Sequence, residues 1–230
     1  MHPGGAERAG WRRRLGGMAA GAAIVLVAVP LVATVVLRVV APPLTPFMVI
    51  RSLTRWTPIE YHWVPLRRVS PHLARAVLAA EDTRFTRHHG FDWIEVESAV
   101  RASRRGRRLR GASTISMQCA RSLFLWPGRD VIRKGAEAYL TVWLEAMWPK
   151  RRILETYLNI VEWGPGQYGC EAAARHAFGT SCAALSAEQA ARLAAVLPAP
   201  QRWSAREPGR RVRARIATIL ARMPLVDVPD

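Results

Sequence analysis

Between Gly16 and Leu37 the chain carries no ionisable side chain: GGMAAGAAIVLVAVPLVATVVL, 22 residues. As a helix at ~1.5 Å rise per residue this run spans about 33 Å, slightly more than a hydrocarbon core. Arg8, Arg12, Arg13 and Arg14 precede it, and the positive-inside rule keeps such an N-terminus in the cytoplasm. The pattern predicts a basic cytoplasmic N-terminus over 1–15 and one transmembrane helix over 16–41. Everything after Arg38 then lies across the membrane. A cleaved signal peptide is the alternative, but its apolar core is normally shorter, about 7–15 residues. Pro30 within the run is tolerable in a membrane helix.

Charge comes next. Against 17 Asp and Glu stand 34 Lys and Arg, a formal net charge of +17 over 230 residues. Such a chain wants an anionic partner: nucleic acid, anionic lipid or a phosphorylated substrate. A domain outside the cytoplasm rarely meets DNA, so nucleic acid is set aside. Half the residues are hydrophobic and nine are Trp, which is core material for a folded domain, not a disordered tail. The length admits one ordinary domain plus an appendage. Cys119, Cys170 and Cys182 show no metal-binding spacing. Cys170 and Cys182 could pair in an oxidising compartment; three isolated buried thiols are the alternative.

Residues 42–46 (PPLTP) read as a hinge, and 42–64 as a linker and membrane-proximal segment. Its Phe47, Trp56, Tyr61 and Trp63 suit a membrane interface or a core equally. Ser70-Pro71 opens a helix that runs toward Glu81, with Leu73, Ala76, Val77 and Ala80 as its apolar stripe. Residues 101–111 (RASRRGRRLRG) read as a flexible cationic loop. Helices follow over 113–125, 131–148, 150–161 and 186–197, the last with a Ser186 cap, and over the basic stretch 210–223. No strand-like alternation of useful length is present. The expected fold is all-α.

Four stretches carry chemistry. In AAEDTRFTRHHGFDW (79–93), Glu81 ends an apolar helix, where partial desolvation lifts a carboxyl toward the range of a general base. A network of salt-bridged caps is the alternative there. In GASTISMQCARSLFLWPGRD (111–130), Ser113 and Thr114 sit at a helix N-terminus, a natural anion site. Thr114, Gln118 and Arg121 then form a polar stripe, with Arg129 nearby; an ordinary wet helix face is the alternative. In VIRKGAEAYLTVWLE (131–145), Arg133 and Lys134 flank Glu137 on one helix face. That carboxylate is either a plain ion-pair partner or a group held ionised to serve a metal or a cationic transition state. In KRRILETYLNIVEWGPGQYG (150–169), the glycines permit a tight turn, and the stretch reads as framework.

Taken in order, these motifs resemble the bacterial peptidoglycan glycosyltransferases of family fifty-one, most closely the monofunctional biosynthetic transglycosylases. EDTRFTRHHGFD, GASTISMQCARSLFL, RKGAEA and RRILETYLNIVEWGPGQYG each match a family motif, across about residues 60–205. The resemblance implies a lysozyme-like all-α glycosyltransferase domain over 65–205, with a small membrane-proximal lobe, followed by a basic C-terminal helix and tail over 206–230. It implies polymerisation of lipid II onto an undecaprenyl-pyrophosphate-linked glycan strand, at the outer (periplasmic) face of the cytoplasmic membrane. No transpeptidase domain is expected, and cell-wall synthesis or division proteins are candidate partners.

By the same resemblance Glu81 is the general base for the acceptor 4-hydroxyl. Glu137 is the second carboxylate, helping the pyrophosphate leave directly or through a divalent ion such as magnesium or manganese. Arg121, Arg129, Arg133 and Lys134 surround the diphosphate, and Ser113, Thr114 and Gln118 line the same groove. Ala112, Ser116, Met117, Arg121 and Ser122 depart from the motif; Arg for Lys keeps the charge and adds a planar fork. A glycan-cleaving lytic enzyme on the same fold would leave no diphosphate to stabilise, and a non-catalytic membrane-anchored scaffold would need neither carboxylate.

Overall fold

The computed structural model describes residues 4–105, 113–128 and 130–229, and omits the side chains at 4–15, 19, 20, 22 and 23. The chain divides into a unit ending at Val40 and a unit beginning at Ala41. The first unit is helix α1, Gly4–Leu37, with Pro30 inside it. Thr34 donates its hydroxyl to the Pro30 carbonyl at 2.7 Å. The apolar side chains of Ile24, Leu26, Val29 and Val32 are exposed along it. Among the described residues no helix is long and apolar enough to cross a membrane. The expected span over 16–41 falls partly on side chains outside the described set.

The second unit is mostly helical. It opens with α2, Pro46–Arg55, capped by Thr45 and ended by Trp56 in the left-handed region. There follow α3 (Pro71–Glu81), α4 (Trp93–Arg104), α5 (Ile115–Phe124), α6 (Val131–Met147), α7 (Lys150–Ile160), α8 (Cys170–Phe178), α9 (Ala187–Val196) and α10 (Arg210–Arg222). α3 packs against α9 and α10, while α5 packs against α2, α6 and α7. The predicted stripe on α3 is wider than its periodicity suggests: Leu73, Ala74, Ala76, Val77, Leu78 and Ala79 are all buried. A helix buried on most of its circumference is an interior helix, and α3 delivers Glu81 from the middle of the domain.

Caps decide where the site-bearing helices begin. Asp92 accepts from the Ile94 and Glu95 amides at the start of α4, Thr114 from Met117 on α5, and Asp130 from Arg133 on α6. Each satisfies N–H groups that a helix terminus leaves open. The capping box on α9, Ser186 with Gln189, is present. Ser70 differs from expectation: its hydroxyl donates to the Leu185 carbonyl at 2.9 Å and makes no cap bond to α3.

Two other expectations change. The cationic stretch from Arg101 to Arg104 is the last turn of α4, not loop; residues 106–112 lie outside the described set. A small sheet is present where no strand was expected. β1 (Glu60–Tyr61), β2 (Glu162–Gly164) and β3 (Gln167–Tyr168) run in the order β1-β3-β2, with β1 parallel and β2 antiparallel to β3. Strands of two or three residues are too short to show an alternating pattern.

The glycine turn makes that sheet possible. Gly166 and Gly169 have φ of 75° and 82°. A Cβ on Gly169 would stand 2.5 Å from the Asn159 carbonyl oxygen, so the position excludes any side chain. Asn159 in turn accepts from the Val64 amide at 2.7 Å and donates to the Val64 carbonyl at 2.8 Å, locking α7 to the segment before α3. We expect Gly169→Ala to destabilise the domain by roughly 2 kcal/mol, read as a lowered urea midpoint with an unchanged slope.

Candidate active site

Glu81 is the last residue of α3, and its side chain is 14% exposed. Each oxygen has one donor. Gln118 on α5 gives its amide Nε2–H to Oε2 at 3.0 Å, and Arg215 on α10 gives Nη2–H to Oε1 at 2.7 Å. The Tyr157 hydroxyl on α7 donates to the Gln118 Oε1 at 3.1 Å. That bond fixes the amide so that its nitrogen faces Glu81. Tyr157 is fully buried, and its phenol pKa is pushed well above the ordinary value by burial, then by the Glu81 charge. It therefore stays a donor.

Burial lifts the Glu81 carboxyl above its ordinary pKa, against the opposing pull of Gln118, Arg215 and Arg121. Burial wins, as it does for a carboxylate with little water around it. The result is a better proton acceptor than a surface glutamate.

A second carboxylate lies on α6. Glu137 is fully buried. Its Oε2 accepts from Arg133 Nη1 at 2.6 Å and its Oε1 from Lys134 Nζ at 2.5 Å. Lys134 Nζ also reaches the Ser113 hydroxyl at 3.2 Å, and the Gln118 amide reaches the Ser113 carbonyl at 3.5 Å. The two carboxylates thus sit at opposite ends of one polar seam, Glu81–Gln118–Ser113–Lys134–Glu137–Arg133, built from α3, α5 and α6. Arg121 is close enough to Glu81 to stabilise its charge.

The seam is short of acceptors. Among the described residues the Nε atoms of Arg121, Arg133 and Arg215 are buried without a hydrogen-bond partner. Buried donors in folded proteins are nearly always satisfied, so one unpaired N–H on each of three guanidinium groups, two of them already paired with Glu137 and Glu81, leaves the seam rich in positive charge.

The structure gathers Glu81, Ser113, Gln118, Arg121, Arg133, Lys134 and Glu137. Thr114 is not among them: its hydroxyl donates to the Gly90 carbonyl at 2.6 Å and caps α5. The α5 N-terminus is no free anion site either, because Asp82 Oδ2 already accepts from the Ile115 amide at 3.0 Å. Arg129 lies outside the described residues. Met117 is buried in the core, and the Ser116 hydroxyl is given to Glu145.

The rest of the first motif is a cap network. His88 Nε2 lies 3.0 Å from Asp82 Oδ1, and Arg84 pairs with Asp92 at 3.1 Å. Asp82, His88 and Asp92 form the one group among the described residues whose donors could share an ion. Their oxygens are committed to helix amides, His88 and Arg84, which gives them a structural role. Cys119, Cys170 and Cys182 are free and buried. Sequence reasoning missed Arg215 and the role of the Tyr157 hydroxyl. Arg215 falls beside Val212, Ile216 and Ile219, the buried stripe of α10, and nothing local separates it from the other arginines there.

A desolvated carboxylate joined to a buried, cation-flanked second carboxylate on a helical domain is a candidate catalytic site of the glycan- or phosphate-handling class. The chain matches the transglycosylase family over residues 49–224. It is 53% identical to the biosynthetic peptidoglycan transglycosylase of Rhodospirillum centenum over 93% of this chain and 91% of that one. The proteins of the same description from Caulobacter vibrioides (46%, 90% of each chain) and Pseudomonas aeruginosa (47%, 88% and 86%) are also similar. The chain belongs to the transglycosylase family.

Glu81 carries a linkage consequence. Its folded-state pKa is raised, so the unfolded chain loses this proton first as pH rises, and the native state loses stability through that window. We expect Glu81→Gln to raise the melting temperature relative to the parent above the ordinary glutamate range. The gain should shrink as pH falls through that range, measured by thermal melts at a series of pH values.

Proposed function

We propose that this chain polymerises lipid II into peptidoglycan glycan strands by inverting displacement of undecaprenyl pyrophosphate, with Glu81 as general base. The enzyme class follows from the family: it is a peptidoglycan glycosyltransferase. The observation that carries the assignment of roles is the seam itself, a desolvated carboxylate continuous with a cluster of under-satisfied cations.

The acceptor's 4-hydroxyl gives its proton to Glu81. Its oxygen attacks the anomeric carbon of the donor from the face opposite the leaving group. The bond from that carbon to the diphosphate oxygen breaks, and the electron pair leaves with the lipid diphosphate. Negative charge grows on the leaving oxygens, and cations fixed beforehand lower the barrier most at that point. Arg121, Arg133 and Lys134 supply them, and the Nε–H groups of Arg121 and Arg133, buried and unpaired, add to the positive charge of the seam. Glu137 holds Arg133 and Lys134 in place. A divalent ion at Glu137 would share its oxygens with the cations already donating to them, Arg133 on Oε2 and Lys134 on Oε1.

The uncharged run in α1 supports a single-pass anchor in the bacterial cytoplasmic membrane, N-terminus inside and catalytic domain on the outer face. Exposed Leu53 and Trp56 at the end of α2 are suited to contact with the bilayer interface. Other cell-wall synthesis or division proteins are the partners this placement offers, and nucleic acid is not.

Glu81→Gln should fold and bind substrate yet lose polymerisation by about a hundredfold or more, followed as consumption of labelled lipid II by detergent-solubilised protein. Retained activity would overturn the base assignment. Lys134→Met should lower kcat by about tenfold or more in the same assay with folding intact.

A further inference from the structure

We infer that Arg215 is a positioning residue for Glu81, which makes the C-terminal helix α10 part of the catalytic apparatus. The inference rests on the reading of Glu81 as base.

The geometry is direct. One amino group of the Arg215 guanidinium serves two acceptors, Glu81 Oε1 at 2.7 Å and the Ala80 carbonyl at 3.1 Å. The Ala80 carbonyl belongs to the last turn of α3, where helix carbonyls lack intrahelical partners and a cation is favourable. Arg215 therefore pins both the side chain of the base and the backbone that carries it. Its own helix is firmly seated: Val212, Ile216 and Ile219 are buried, and α10 packs on α3 and α9.

Every element around Glu81 contributes a facing group. Gln118 and Arg121 come from α5, Tyr157 from α7 and Arg215 from α10. Asp82, the next residue in the chain, turns away to His88 and the Ile115 amide. Arg215 is the only cation among the described residues hydrogen-bonded to Glu81. A carboxylate in so dry a pocket tends to hold its proton, and a protonated acid cannot act as base. A guanidinium, charged at every working pH, opposes that and favours the ionised form. Gln118 and Arg215 each take one oxygen, and each oxygen keeps a lone pair for the acceptor's proton.

The test uses the full chain in detergent with labelled lipid II, measuring kcat and KM across pH for Arg215→Met and Arg215→Lys. Removing the cation lifts the Glu81 carboxyl further, so the ionised base appears only at higher pH. We expect the acidic limb of kcat/KM to move to higher pH in Arg215→Met, with kcat down about a hundredfold. Arg215→Lys should restore part of both. An unmoved limb, or a raised KM with kcat unchanged, would overturn the inference. Should Arg215→Met fail to fold by circular dichroism, infrared titration of Glu81 in Arg215→Gln, taken as a difference against Glu81→Gln, decides. An unshifted titration there contradicts the role. Glu81→Gln in the same assay separates the two readings: an active Glu81→Gln removes the base and this inference together, whereas an inactive Glu81→Gln with an unmoved Arg215→Met limb removes only this one.

Discussion

Keeping a charge out of water is the constraint around which this domain is arranged. Glu81 ends an interior helix, α3, in a setting whose burial lifts its pKa. Donors from two other helices, Gln118 and Arg215, hold the ionised form, and Tyr157 from a third sets the amide's direction. Burying a carboxylate without such partners costs several kcal/mol. The packing of α3 against α9 and α10, and of α5 against α7, therefore serves a chemical end as well as a cohesive one.

The second carboxylate is built by different means. Glu137 is held within a single helix by residues three and four positions earlier, and the Asp130 cap fixes where that helix starts. Asp82, next to the base, is itself a device of assembly. It takes the first amide of α5 and the ring of His88, so the residue beside Glu81 sets the helix that brings Gln118 to Glu81. One pair of adjacent acids thus divides its labour, Glu81 for the seam and Asp82 for the scaffold.

Local patterns were enough for α3, α5, α6, α7, α9 and α10, because each has an apolar stripe with a clear start or stop. α4 escaped because none of its residues is buried, so no stripe marks it, and its arginine-rich end reads as loop. α8 is short and rich in alanine, and the sheet strands are too brief for periodicity. Within the site, Glu81, Gln118, Lys134 and Glu137 were legible because their motifs are local. Arg215 lies 134 positions from Glu81, among six arginines between 202 and 215, and only tertiary packing singles it out. Thr114 spends its hydroxyl on the α5 cap and the Gly90 carbonyl, since a hydroxyl at a helix N-terminus serves a cap as readily as a ligand.

A crystal structure with a non-hydrolysable polyprenyl-diphosphate-linked disaccharide in the donor position, and a second sugar as acceptor, tests the account most directly. The account places the diphosphate oxygens within hydrogen-bond reach of Arg121 and Arg133, with the acceptor's 4-hydroxyl on Glu81. A diphosphate bound away from these arginines, or an acceptor hydroxyl with no contact to Glu81, would contradict it.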